Sequence, residues 1–229
     1  MIGVMSSTIG SAVSAFRSPA ACGMPHRSLA ARLIYFTPRE LNPRIWFDDT
    51  GDDINIWPDI SGNQCHGVLN GGTNLAILKN SMNGRQVRYF GGVSNPNNGT
   101  RYIVSHNFTD PMPYLLFVVV SRRRIQGNNY NWQRLISFTK TGQTDYTTGL
   151  NISLASNSSG LPGVMPTSYI TTQKSNVVGN QLGIGHHVTN PGYEYLTGDI
   201  AEVLVFDRPL PTASAMALKT YMTQKYNII

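Results

Sequence analysis

The feature that most constrains this chain is its punctuation. Nine short apolar segments follow one another from Arg44 to Phe206: "RIWFD", "CHGVL", "QVRYF", "YLLFVVV", "RLISF", "GLNISLA", "SYITT", "NQLGIG" and "YLTGDIAEVLVF". Turn-forming clusters separate them, among them "NGGTN", "GGVSNPNNG" and "SNSSGLPG". Short apolar runs bounded by Gly, Asn, Pro and Ser are the signature of strands joined by tight turns. Several runs are apolar at consecutive positions. A strand of that kind needs cover on both faces, as when two sheets stack and another element lies outside one of them. Only one segment, Thr212 to Tyr226, has helical spacing. Leu218, Tyr221, Met222 and Lys225 fall on one of its faces, and Thr212 follows Pro211 as the expected N-cap. Strands followed by one terminal helix predict an all-β, two-sheet antiparallel sandwich with a C-terminal helix.

Composition divides the 229 residues unequally. Residues 1–39 carry Arg17, Arg27, Arg32 and Arg39 and no acid. The remainder holds fourteen basic residues against all twelve acids, so the net charge of +6 belongs mostly to the N-terminal segment. A nucleic-acid binder concentrates its charge on the folded domain, so nucleic acid is not an expected partner. Residues 1–34 are rich in Ser, Ala, Gly and Pro and poor in large apolar groups. Such a segment cannot offset its own ordering entropy. Residues 1–40 are therefore expected to be an extended arm, and residues 41–229 the sandwich. The start lacks the basic n-region and sustained apolar stretch of a signal peptide. No apolar run reaches the ~20 residues of a membrane span. Cys22 and Cys65 are too few for a disulfide framework and are expected to be free thiols.

Several polar constellations invite chemistry. "DISGNQCHG" sets Asp59, Ser61, Asn63 and His66 close together. Asp and Ser before Gly-Asn make a side-chain-bonded turn with a positive φ at Gly62, and no second histidine stands at zinc spacing. Asp48, Asp49, Asp52 and Asp53 lack the order of a calcium loop and are expected to be solvated, with calcium the lesser reading. His186 and His187 are adjacent, so on a strand they face apart. Arg122, Arg123 and Arg124 are expected at a solvated strand end. Asn128, Asn129, Tyr130 and Trp132 join amides to aromatic faces. That combination binds sugars by stacking and paired hydrogen bonds, while a hairpin with a core Trp explains the same residues.

The two ends of the sandwich region resemble a known family. "WFDD…INIWPDISGNQCHG" is similar to the opening W-x-D-x-S-G-N-x-x-H-G of concanavalin A-like, laminin-G-like jelly-roll domains. "NGRQVRYFGG" and "PYLLFVVV" resemble its inner strands, and "GDIAEVLVFDRPL…YMTQKY" its closing strand and helix. Residues 122–193 depart from the pattern. The arm followed by "FTPRELNPRIWFDD" resembles the phage virion members. The resemblance implies a jelly roll and a structural virion protein of capsid or tail, located on the particle. Its arm would dock on other virion proteins through Phe16, Arg17, Arg27 and Arg32, and a homo-oligomer is expected. Surface glycans are the alternative partner; neither nucleic acid nor a membrane is implied. No cofactor and no enzyme activity are expected.

The enzyme question turns on Glu202 and Asp207 in "GDIAEVLVFDRPL". A glycosidase needs two carboxylates facing one cleft, about 5–10 Å apart. Side chains alternate along a strand, so residues five apart point to opposite faces. By the same alternation Glu202 shares a face with Ile200, Leu204 and Phe206. Its expected role is a bond to a nearby Arg or backbone donor. Asp207, before Arg-Pro, is expected to end the strand in a turn.

Overall fold

The computed structural model describes residues 36–71, 75–91, 101–105, 108, 112–125, 132–143, 149–155, 163–164, 167–188 and 196–228. The arm residues Phe16, Arg17, Arg27 and Arg32, with Cys22, lie outside these. So do Asn128, Asn129 and Tyr130.

Two antiparallel sheets make the sandwich, and one C-terminal helix packs on it. The first sheet holds β1 (Ile45–Phe47), β4 (Leu75–Met82), β5 (Arg85–Gly91), β7 (Met112–Ile125), β10 (Gly163–Val164), β11 (Ser168–Val177) and β13 (Thr197–Phe206). The second runs in the order β2 (Ile56–Trp57), β3 (Gly67–Asn70), β6 (Arg101–Ser105), β12 (Gln181–Ile184), β8 (Trp132–Thr139), β9 (Leu150–Ala155). Each of the nine apolar segments becomes a strand. The strands β4 and β6 carry more polar residues and were not among those nine. A hairpin at Asn83-Gly84, both with positive φ, joins β4 to β5.

β13 is the axis of the first sheet. It is flanked by β7 on one side and on the other by β5, then β1. All ten of its residues are buried, because both faces are covered. Between the sheets lie Ile45, Phe47, Trp57, Phe90, Tyr102, Phe117, Val119, Phe138, Val203 and Val205. On the outside, α1 (Thr212–Tyr226) buries Leu218, Met222 and Tyr226 against Trp46, Leu116, Val118, Leu204 and Phe206. The consecutive valines of β7 thus divide between two cores.

The register of β13 on β7 shifts between Ile200 and Glu202. This β-bulge corrects the simple alternation. Ile200 faces the space between the sheets, whereas Ala201, Leu204 and Phe206 face the helix side. Glu202 therefore does not share a face with Ile200. At the helix start, Thr212 is the first helical residue and not the cap. Pro211 holds the cap position, with an extended backbone (φ −55°, ψ 145°), and its carbonyl accepts from the Ala215 N–H at 3.0 Å. Of the expected helix face, Leu218 and Met222 are buried, and Lys225 runs its stem inward as its spacing implies. The compact unit begins at Phe36, whose ring meets that of Tyr221 edge-on at 5.9 Å.

Candidate functional site

The bulge aims Glu202 into a buried polar cluster. Its Oε1 accepts from Trp46 Nε1 at 2.7 Å. Its Oε2 accepts from the Tyr226 hydroxyl at 2.7 Å and from Lys225 Nζ at 2.9 Å. The expected arginine or backbone partner is thus replaced by three side chains, one from β1 and two from the last turn of α1. Lys225 Nζ also meets Asp49 Oδ1 at 2.7 Å, and Arg85 Nη1 lies 3.4 Å from Asp49 Oδ2. Burial pushes the Glu202 carboxyl above its ordinary range, opposed by Lys225 and by the Tyr226 and Trp46 hydrogen bonds. Burial alone would lower Lys225, but the Glu202 and Asp49 carboxylates outweigh it and hold the amine above its usual value. Asp207 sits in the exposed turn after β13, against its neighbour Arg208 at 3.3 Å. Glu202 and Asp207 share no cleft, so they do not form a hydrolytic pair.

The Asp59 turn is a structural staple, as its sequence implies. Asp59 Oδ1 accepts from the backbone N–H of Trp46 and Ser61, and Oδ2 from Cys65 N and Ser61 Oγ, all within 2.9–3.0 Å. Asn63 Nδ2 reaches Arg44 O at 3.0 Å, and His66 Nδ1 accepts from Asp59 N. Gly62 adopts φ +100°, as a turn of this kind requires. These bonds fix the start of β1, and with it Trp46. Cys65 is free and buried, and burial pushes its thiol up to about 11.

The acidic loop is less solvated than expected. Asp48 is buried and accepts from Thr50 N and Oγ1, while Asp49 is held by Arg85 and Lys225. Asp53 accepts from Asn55 N, and Asp52 is in an exposed pair with Lys79. The loop carbonyls of Gly51, Asp53 and Ile56 receive the guanidinium of buried Arg88, which lies over Trp57 and Tyr102. Among the described residues no three His, Cys, Asp or Glu converge as a metal site needs. Arg122 is likewise no solvated end. Its guanidinium holds buried Asp199 at 2.6 Å and Ser81.

A second polar cluster lies at one end of the second sheet. After β12 the chain turns at Gly185 to His186, His187 and Val188, all buried. This turn folds back over β12, because a Cβ on Gly183 would stand 2.8 Å from Val188 Cγ2 and 2.9 Å from His186 O. The histidines are thus in a turn and not on a strand. Each meets a different arginine: His186 Nδ1 lies 3.5 Å from Arg101 Nη1 of β6, and His187 Nε2 lies 2.8 Å from Arg134 Nη2 of β8. Burial lowers Arg101, whose Nε has no hydrogen-bond partner among the described residues. Sequence reasoning missed these arginines, since nothing in "TRYIVS" or "WQRLISF" marks them. Of the sugar-binding candidates only Trp132 is described, as the first residue of β8, two before Arg134.

These features define a two-sheet antiparallel β-sandwich whose buried carboxylates serve the scaffold. No family model matches the sequence, and no curated protein does. Solved structures do match. Trypanosoma rangeli sialidase in complex with 2,3-difluorosialic acid, a covalent intermediate, is 11% identical, with a TM-score of 0.53 over 80% of this chain and 33% of that one. The binding domain of botulinum neurotoxin DC in complex with SialylT is also 11% identical, with a TM-score of 0.51 over 81% of this chain and 52% of that one. This chain spans about a third to a half of the length of those structures, and the likeness is one of fold. No helix among the described residues is long and apolar enough to cross a membrane.

Proposed function

We propose that this chain is a non-enzymatic structural protein of a virion, in capsid decoration or tail, whose N-terminal arm anchors a displayed β-sandwich. The observation that supports a non-catalytic sandwich is the commitment of its acids. Every described carboxylate is engaged with the scaffold: in a turn or cap (Glu40, Asp48, Asp53, Asp59), an ion pair (Asp49, Asp52, Asp199, Asp207) or the helix cluster (Glu202). The anchoring role rests on sequence: an acid-free, arginine-bearing segment joined to a nearly neutral domain. Arg17, Arg27 and Arg32 suit an acidic docking surface, through paired bonds to carboxylates, and Phe16 an apolar pocket on it. Other virion proteins and further copies of this chain are the partners this reading names. The test deletes residues 1–34 and follows co-sedimentation with assembled particles beside the melting transition. The expected result is a folded protein absent from the particle. Incorporation at full occupancy sinks the anchor.

A second reading, compatible with the first, is a carbohydrate-binding module for surface glycans. The chemistry that favours it is at the start of β8, where Asn128, Asn129, Tyr130 and Trp132 lead along the chain to Arg134. Similar structures were solved with sialic acid derivatives or SialylT, which supports testing acidic sugars first. A glycan array carrying sialylated and neutral sugars discriminates: binding lost in Trp132→Ala supports this reading, and a blank array removes it.

A further inference from the structure

The contact between Lys225, Asp49 and Glu202 has the composition of a reaction centre as well as of an ion pair. A primary amine lies 2.7 Å from one carboxylate oxygen of Asp49 and 2.9 Å from a second carboxylate, Glu202. The side chains are almost sealed from solvent: 8% exposed for Lys225, 11% for Asp49 and none for Glu202. Aromatic rings line the cluster. Lys225 Nζ lies 5.1 Å from the Tyr226 ring centroid and 5.7 Å from that of Tyr221, and Trp46 bonds Glu202 from β1. An amine and a carboxyl held in contact, away from water, gain an effective concentration that no bimolecular encounter reaches. The two carboxylates hold Lys225 as the ammonium, so a proton must leave before the amine can attack, and Glu202 at 2.9 Å is placed to take it.

We infer that Lys225 and Asp49 condense into an amide, an intramolecular isopeptide bond tying the last turn of α1 to the loop after β1, with Glu202 as the proton relay. The step balances without an oxidant or co-reactant. Lys225 Nζ, as ammonium, gives one proton to Glu202 and attacks Asp49 Cγ with the freed lone pair. The new N–C bond leaves a tetrahedral carbon whose negative oxygen faces the Arg85 guanidinium. The nitrogen loses its second proton, and both protons travel to the departing Asp49 oxygen, one of them by way of Glu202. The C–O bond breaks, one water leaves, and Glu202 returns to its starting state. Burial favours this direction, because an ammonium and a carboxylate that were costly to desolvate become one neutral amide. The raised carboxyl of Glu202 suits it to take and return a proton. The reaction runs once per chain, so it calls for no substrate site and is compatible with a non-enzymatic protein. Its product would hold the helix on a displayed module under unfolding force or protease attack.

The test is mass spectrometry of the purified full-length chain after incubation at neutral pH. The expected intact mass is one water below that of the sequence. Trypsin should fail to cut after Lys225 and should release residues 220–229 joined to residues 45–79 as one branched peptide. Lys225→Arg and Asp49→Ala should each restore the full mass, and Glu202→Gln should slow the loss of water at least tenfold. An unmodified intact mass with separate peptides 45–79 and 220–225 overturns the inference, whatever the variants do. So does a water loss that fragmentation places elsewhere in the chain. Should a variant fail to fold, the branched peptide of the wild-type chain decides alone.

Discussion

At the scale of single residues, Glu202 shows how burial and partnership set a side chain's worth. Its carboxylate accepts from three buried donors, one of which, Lys225, it shares with Asp49. Glu202→Gln keeps the shape but removes the charge and turns one acceptor oxygen into a donor facing donors. A cost of about 2–4 kcal/mol is expected in chemical denaturation, as for breaking a buried pair from one side. Tyr102 gives the pH prediction. Its ring is fully buried, its hydroxyl donates to Ile54 O at 2.7 Å, and burial pushes it from 10.0 up to about 12 against the pull of Arg88. Between those two values the unfolded chain has released this proton and the folded chain has not. Stability should therefore fall as pH rises from 10 to 12, by up to about 2 kcal/mol from this group, and be unaffected by it below 10. Thermal melts across that range check it, and Tyr102→Phe should have a flatter alkaline slope. The Asp59 turn was legible in sequence because its bonds to Ser61, Cys65 and His66 are local, whereas the Trp46 and Arg44 bonds that tie it to β1 were not. The partners of Glu202 were not. Trp46 is 156 residues away along the chain, and no spacing rule reaches that far.

At the scale of elements, the helix contributes through one buried stripe. Leu218 has no exposed surface, and Met222 and Tyr226 continue the stripe one and two turns later. Leu218→Ala should cost about 2–4 kcal/mol by lost burial and the cavity left behind, read from the urea midpoint at an unchanged slope. The same substitution at exposed Met216 should be nearly silent, which separates packing from helix propensity. The helix and the nine apolar strands were readable because their patterns are dense in apolar residues. β4, "LAILKNSM", was hidden by a polar second half, and β6, "RYIVS", by its brevity. The cap moved from Thr212 to Pro211 because the first carbonyl to accept a helical bond defines it, and a side chain does not.

At the scale of the whole molecule, the first sheet is a wall shared by two cores, and β13 is the strand that faces both. Its partners come from the start and the middle of the compact unit, as in Ile45 opposite Val205 and Val119 opposite Val203. Pairings so distant in sequence make for slow folding, and the two cores are expected to form together. The fold class was visible in the sequence since sheet number follows from strand rhythm, but the allocation of residues to the two cores was not. That allocation depends on the bulge between Ile200 and Glu202. Up to it the strand keeps one count of odd and even; beyond it the count is reversed. The strand thus has a reading frame, with Ala201 as the inserted letter. Removing that one small residue would restore the plain alternation, with Glu202 following Ile200 directly and each later side chain keeping its room. Removing Val203, beyond the bulge, would turn each later side chain to the wrong room: Leu204 and Phe206 toward the space between the sheets, Val205 toward the helix. Deletion of Val203 should therefore abolish soluble protein on expression, where deletion of Ala201 leaves the faces of the strand as they are and a folded chain.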